Sequence, residues 1–116
     1  MYIDYSKITT EVLEQIYIEN KDDIEVLFQI TNRYINEQIK EEVVLENLKK
    51  LRTVGDDHFQ CRVKLIIAKD YLNKGNLQSA KMYLEQIKNS KDYKYSAIAS
   101  DRLRDLNKRM ASGLPE

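Results

Sequence analysis

Glycine, proline and cysteine are scarce in this sequence of 116 residues, which contains three glycines, one proline and one cysteine. A β-sandwich or barrel needs turn residues at short intervals, so this composition argues strongly against both architectures. The lone Cys61 cannot form an internal disulfide, which favours a reducing, cytoplasmic setting. No apolar run approaches the roughly 18 residues that a membrane-crossing helix needs, and the first residues lack the basic-then-apolar pattern of a signal peptide. We therefore expect a cytoplasmic protein with no membrane partner.

Charge is balanced over the whole chain but not along it. Residues 1–57 contain 13 acidic and 7 basic side chains, whereas residues 58–116 contain 6 acidic and 12 basic ones. A net charge near zero gives little repulsion between molecules, so a homo-oligomer is one expectation. The basic second half favours an acidic partner and, less readily, nucleic acid. The competing interpretation is that the mixed charges only solvate the helix surfaces.

Apolar residues recur at spacings of three and four along almost the whole chain, which is the period of an amphipathic helix. The main stripes are Ile8, Val12 and Ile16 with Leu13 and Tyr17 beside them; Leu27, Ile30, Tyr34 and Ile35; Val44, Leu48 and Leu51; Phe59, Val63, Ile66, Ile67 and Tyr71; Leu77, Ala80, Tyr83, Leu84 and Ile87; and Ala99, Leu103, Leu106 and Met110. Short polar connections separate the stripes and force neighbouring helices to run antiparallel. The pattern predicts an all-α fold of five or six antiparallel helices.

Helix ends are predicted from capping residues at the start and glycines at the finish. The starts are assigned to Asp22, Asp57 and Asn76, and the ends to Gly55 and Gly75. Nothing between Ile35 and Val44 breaks a helix strongly, so residues 22–54 form either one long bent helix or two helices. We favour a break near Gln38–Lys40.

Residues 61–94 contain one recognisable motif. It consists of two small residues, a glycine and several apolar residues. They are Ile67, Ala68, Tyr71, Gly75, Leu77, Ala80, Leu84 and Ile87. This stretch resembles one tetratricopeptide repeat, a helix–turn–helix unit of about 34 residues. Ala68 and Ala80 are small where two helices would cross, and Gly75 allows the chain to reverse. Lys64, Ile87 and Asp92 replace the aromatic, alanine and proline that are usual in the family.

The resemblance implies a tetratricopeptide-like α–α superhelix within a single helical domain spanning residues 1–110. It places degenerate hairpins over residues 6–54, a tetratricopeptide-like hairpin over 57–89 and a last helix over 95–110, followed by a flexible tail, 111–116. A DNA-binding helix-turn-helix has its turn glycine about four residues after the alanine of its first helix. Gly75 follows Ala68 by seven residues, so nucleic acid is not the expected partner.

In the tetratricopeptide family the first helix of each hairpin lines a concave groove that binds a peptide. The corresponding positions in this chain are Arg62, Leu65, Lys69, Leu72 and Asn73. Cations alternate with aliphatic residues in this set, so the resemblance implies a protein or peptide partner that is acidic. The alternative for the two leucines is that they pack on the preceding hairpin.

Acid, histidine and cysteine meet only between Asp56 and Cys61. His58 and Cys61 supply two ligands, whereas a structural zinc site needs four and a catalytic one three. A nucleophilic cysteine needs an oriented base and an oxyanion pocket, which the sequence does not indicate. We expect no enzyme, no metal and no cofactor. The expected function is non-catalytic binding of a protein or peptide; the alternatives are an immunity protein or inhibitor that masks a toxin or enzyme, and a nucleic-acid-associated regulator.

Overall fold

A computed structural model of the protein describes residues 3–112. These residues form six α-helices and a short 3-10 turn at Tyr5–Lys7, and they include no strand. The helices are α1 (Thr10–Glu19), α2 (Ile24–Glu37), α3 (Glu41–Leu51), α4 (Asp57–Asn73), α5 (Leu77–Lys88) and α6 (Tyr93–Ala111). The all-α prediction is confirmed. Of the predicted tail, Ala111 closes α6 and Ser112 caps it, whereas residues 113–116 lie outside the described part.

The chain divides into two compact units, Met1–Gly55 and Asp56–Glu116. In the first unit α2 packs against α1 and α3; in the second α5 packs against α4 and α6, and α4 also contacts α6. Within each unit, three or four residues join consecutive helices, so these neighbours are antiparallel hairpins. The assignment of residues 1–110 to one domain stays a prediction. None of the helices traced between residues 3 and 112 is both long and apolar enough to cross a membrane.

Of the predicted first stripe, helix α1 fully buries Leu13. Leu13 is 1% exposed, whereas Val12 is 47% exposed, and Ile8 and Ile16 are half-buried. Thr9 caps α1 by accepting a hydrogen bond from the Val12 amide at 3.1 Å. Leu13 and Tyr17 also have the four-residue spacing of a helical stripe, so the period alone does not choose between the two faces. In the folded unit, Leu13 is the residue that becomes buried when α1 packs on α2.

Aspartate and asparagine side chains cap α2, α4 and α5, the first two at one residue from the predicted position. Asp23, not Asp22, caps α2 by accepting from the amides of residues 25 and 26. Asp56, not Asp57, caps α4 by accepting from the Phe59 amide at 2.8 Å. The predicted cap at Asn76 is confirmed, since its side chain accepts from the Ser79 amide. Where two aspartates are adjacent, only the one with extended backbone can direct its carboxylate back to the helix amides.

The predicted break between α2 and α3 is confirmed at Gln38–Lys40. The Ile39 amide donates to the Tyr34 carbonyl and the Gln38 amide to the Ile35 carbonyl, which is the Schellman pattern of a helix end. Gln38 has φ +56° and Lys40 has φ +54°, a left-handed conformation that glycine normally supplies. Two non-glycine residues therefore end one helix and begin the next.

Gly75 closes α4 with the same pattern. The Asn76 amide donates to the Tyr71 carbonyl and the Gly75 amide to the Leu72 carbonyl, with Gly75 at φ +78°. The other predicted helix-ending glycine, Gly55, also has a positive φ, but α3 already ends four residues earlier, at Leu51.

Small residues allow the helices of the second unit to approach closely. Ala68, Ala80 and Ala99, one from each helix, are at most 1% exposed. They belong to one buried cluster with Cys61, Leu84, Ile87, Leu103 and Leu106. This cluster positions the exposed surfaces of α4 and α6, which carry the candidate site.

Candidate binding surface

The five residues predicted to line a groove all lie on α4 or at its end, but their environments differ. Leu65 and Leu72 are partly buried and pack against the core cluster of α4, α5 and α6. Asn73 is exposed, and Arg62 and Lys69 are half-buried. The leucines therefore have a structural reason to be apolar. The polar members, Arg62, Lys69 and Asn73, form what we call the α4 flank.

Lys69 is the most perturbed of these side chains. Burial lowers the pKa of its ammonium group below the usual value, and the neighbouring positive charge of Arg102 on α6 lowers it further. Two cations held close together at a partly desolvated position repel each other more strongly than in water. An anion placed beside both would remove that repulsion.

Arg62 lies at the other end of the α4 flank, one turn from the start of the core-facing stripe. Its guanidinium lies 5.5 Å from the centre of the Phe59 ring, within the range of a cation–π contact. A planar guanidinium matches the geometry of a carboxylate. The α4 flank and Arg102 thus present three cations and one amide on α4 and α6.

A second polar feature connects the starts of α4 and α6. The His58 Nδ1 atom lies 2.6 Å from the Asp92 Oδ2 atom, and the His58 ring contacts the Tyr95 ring edge-on at 5.1 Å. The hydrogen bond from His58 and that from the Tyr95 amide hold the pKa of the Asp92 carboxyl below its usual range. His58 is therefore part of a structural clasp between two helix starts.

A cleft of about 350 Å³ lies beside this clasp, between the first turns of α4 and the loop after α5. Its lining includes Asp57, Cys61, Lys64 and Lys91. Cys61 is a free thiol, 5% exposed, in the floor of the cleft. Among the described residues no three His, Cys, Asp or Glu side chains come together in a way that could hold a metal ion. A mixed lining of carboxylates, ammonium groups and amides can bind polar groups but does not assemble a nucleophile with its base.

Sequence reasoning missed three features of this unit. Arg102 comes next to Lys69 only because α6 returns to α4, and Asp92 comes next to His58 from 34 residues away. Asp70 is a carboxylate only 5% exposed on α4, paired with Lys74 at 2.9 Å. The pair of Asp70 and Lys74 could have been predicted from the sequence, because an aspartate four residues before a lysine has the spacing of a helical ion pair.

Comparison of the chain with models of protein families, with curated proteins and with solved protein structures gives no significant match.

Proposed function

We propose that this chain is a non-catalytic interaction module that binds an acidic segment of another protein through the α4 flank and Arg102. The observation that carries the proposal is the half-buried Lys69 beside Arg102, where burial and like charge both disfavour the protonated ammonium. A partner carboxylate placed between these two side chains would offset the repulsion and raise the pKa of Lys69 again. Only an anionic ligand would gain binding free energy by relieving this repulsion.

The proposed architecture is a tetratricopeptide-like α–α superhelix in a cytoplasmic protein. Its support is the hairpin of α4 and α5, with buried Ala68 and Ala80, a turn at Gly75 with positive φ, and a third helix packed on the hairpin. These are the positions at which the family needs small residues and a chain reversal. The leucines of the predicted set then contribute their exposed edges, and the cations contribute charge.

The test is quantitative affinity capture from the native host with identification of the bound proteins by mass spectrometry. The flank variant, Arg62→Glu with Lys69→Glu, should lose the partner mainly because association is slower when the attractive charge is reversed. The thermal midpoint should stay nearly unchanged, since Lys69→Glu places a carboxylate beside Arg102. Equal capture by the flank variant and the wild type would refute this surface.

A matched control changes the net charge by the same amount elsewhere in the second unit. Lys91→Glu with Lys94→Glu alters two exposed lysines outside the α4 flank, so it should capture the partner as the wild type does. A captured toxin or enzyme whose activity is blocked would identify an inhibitor. Capture that disappears after nuclease treatment would indicate a nucleic-acid bridge instead of a protein partner.

A further inference from the structure

An open groove of about 500 Å³ runs along α6, separate from the α4 flank. Ser100, Leu103, Arg104, Asn107 and Lys108 line it from α6, and Lys88 lines it from the end of α5. The lining positions on α6, from Ser100 to Ala111, follow helical spacing over about three turns. Leu103 provides an apolar floor, since it is only 6% exposed.

The rim of this α6 groove is basic. Lys88 and Lys108 are exposed, and within residues 3–112 no side-chain ion pair or hydrogen bond engages either ammonium group. Arg104 pairs with Asp101 at 2.6 Å, but both side chains are more than 60% exposed, and such surface pairs contribute little. The groove therefore favours a helix that carries carboxylates.

Helix α3 has a surface with the opposite character. Glu42 and Glu46 lie one turn apart on its exposed side, and neither carboxylate has an ion-pair partner in the described part of the chain. Val43 and Leu45 flank them and are 44% and 46% exposed. We call Glu42, Val43, Leu45 and Glu46 the α3 face.

We propose that the α6 groove of one copy of this chain binds the α3 face of a second copy. Charge complementarity supports the choice of occupant, because the groove rim carries three cations and the α3 face carries two carboxylates, whereas the exposed lysines of α3, Lys49 and Lys50, lie in its last turn. The spacing matches as well. Arg104 and Lys108, like Glu42 and Glu46, are four residues apart, which is about 6 Å along a helix axis.

Such a contact joins two different surfaces, and in an open series each added copy exposes a new groove and a new α3 face. We expect a distribution of sizes that grows with concentration. The attraction is electrostatic at its rim, so it should weaken when salt shortens the Debye length from about 30 Å at 0.01 M to about 3 Å at 1 M.

The experiment measures mass by light scattering and sedimentation equilibrium at both salt concentrations. The wild type should exceed its monomer mass of 13.7 kDa at low salt and approach it at high salt. The groove variant, Lys88→Glu with Lys108→Glu, should stay monomeric, and so should the face variant, Glu42→Lys with Glu46→Lys. The control variant, Lys91→Glu with Lys94→Glu, should associate like the wild type.

Mixing the two monomeric variants gives the sharpest result. The intact α3 face of the groove variant meets the intact groove of the face variant, and the two reversed surfaces also complement each other in charge, so an equimolar mixture should regain the association that neither variant shows alone. Far-ultraviolet circular dichroism confirms that each variant is folded before mixing. Simple loss of structure in either variant cannot produce this rescue.

Three outcomes would overturn the proposal. They are a wild type that stays at monomer mass at low salt and high concentration, a groove variant that associates as the wild type does, and a mixture that stays monomeric. Binding of a glutamate-rich helical peptide by a monomeric wild type would also overturn it, because the groove would then take a foreign chain. None of these results bears on the α4 flank, whose variants change other residues.

Discussion

At the scale of single residues, Asp92 has two roles. One carboxylate oxygen accepts from the Tyr95 amide at 3.1 Å and so caps α6, and the other lies 2.6 Å from His58 Nδ1. Both contacts favour the ionised carboxylate, which is why its pKa is lowered. The same side chain therefore starts one helix and connects it to the start of another.

This double role predicts a pH-dependent difference between the wild type and Asp92→Asn. Asparagine caps a helix as well as aspartate does, so the substitution removes the charge and keeps the cap. Below the ordinary carboxyl pKa of 3.8 the unfolded chain binds a proton that the folded chain still rejects. As the pH decreases below 3.8, the free energy of unfolding therefore decreases, until the pH is below the lowered pKa of the folded state.

We expect the wild type to be more stable than Asp92→Asn at neutral pH and to lose this advantage in acid. Urea unfolding at a series of pH values measures it. Asp101→Asn serves as the control, because Asp101 is 70% exposed and pairs with Arg104 on its own helix. A stability difference of equal size at every pH would show that the charge of Asp92 does not stabilise the contact with His58.

At the scale of helices, the crossings of the second unit depend on small side chains. Ala80 is 0% exposed on α5 and belongs to the cluster shared with α4 and α6. Protein interiors are packed as densely as organic crystals, so extra methyl groups at a crossing have no space without moving a helix.

Ala80→Leu should therefore destabilise the protein by about 1–3 kcal/mol. Thermal unfolding followed by circular dichroism measures the loss. The matched control is Met82→Leu on the same helix, where the side chain is 49% exposed and a change of less than about 0.5 kcal/mol is expected. A variant of Ala80 that melts like the wild type would show that the tetratricopeptide register is wrong.

At the scale of the whole molecule, the two oppositely charged halves of the sequence sum to a net charge of zero. The isoelectric point is about 6.6, so near neutral pH little net repulsion keeps molecules apart. Patches of opposite sign on different molecules then attract at low salt, whatever the specific contact.

The osmotic second virial coefficient should accordingly be most negative near pH 6.6 and should rise when salt is added. Static light scattering over a concentration series measures it. The face variant, Glu42→Lys with Glu46→Lys, raises the isoelectric point, so its minimum should move to higher pH. A coefficient that does not respond to salt would show that the charge distribution has no effect on association.

Local signals predicted two helix boundaries correctly and two more to within one residue. A cap is a bond between residues two or three apart, and a glycine with positive φ is a local backbone preference, so Asn76 and Gly75 were correctly assigned from the sequence. The same locality explains the small errors at Asp22 and Asp57, where the neighbouring aspartate caps the helix instead. The break at Gln38 carried no such signal, because glutamine seldom adopts the left-handed conformation.

By itself, the sequence determined that the chain is helical and which side of most helices is apolar, because a helical period places residues three and four apart on one face. Only the tertiary structure decided what each face meets. It buried Leu13 and left Val12 exposed, packed Leu65 and Leu72 against the core cluster, and brought Arg102 to Lys69 and Asp92 to His58. These outcomes depend on side chains from different helices competing for the same space, which no spacing within a single helix encodes.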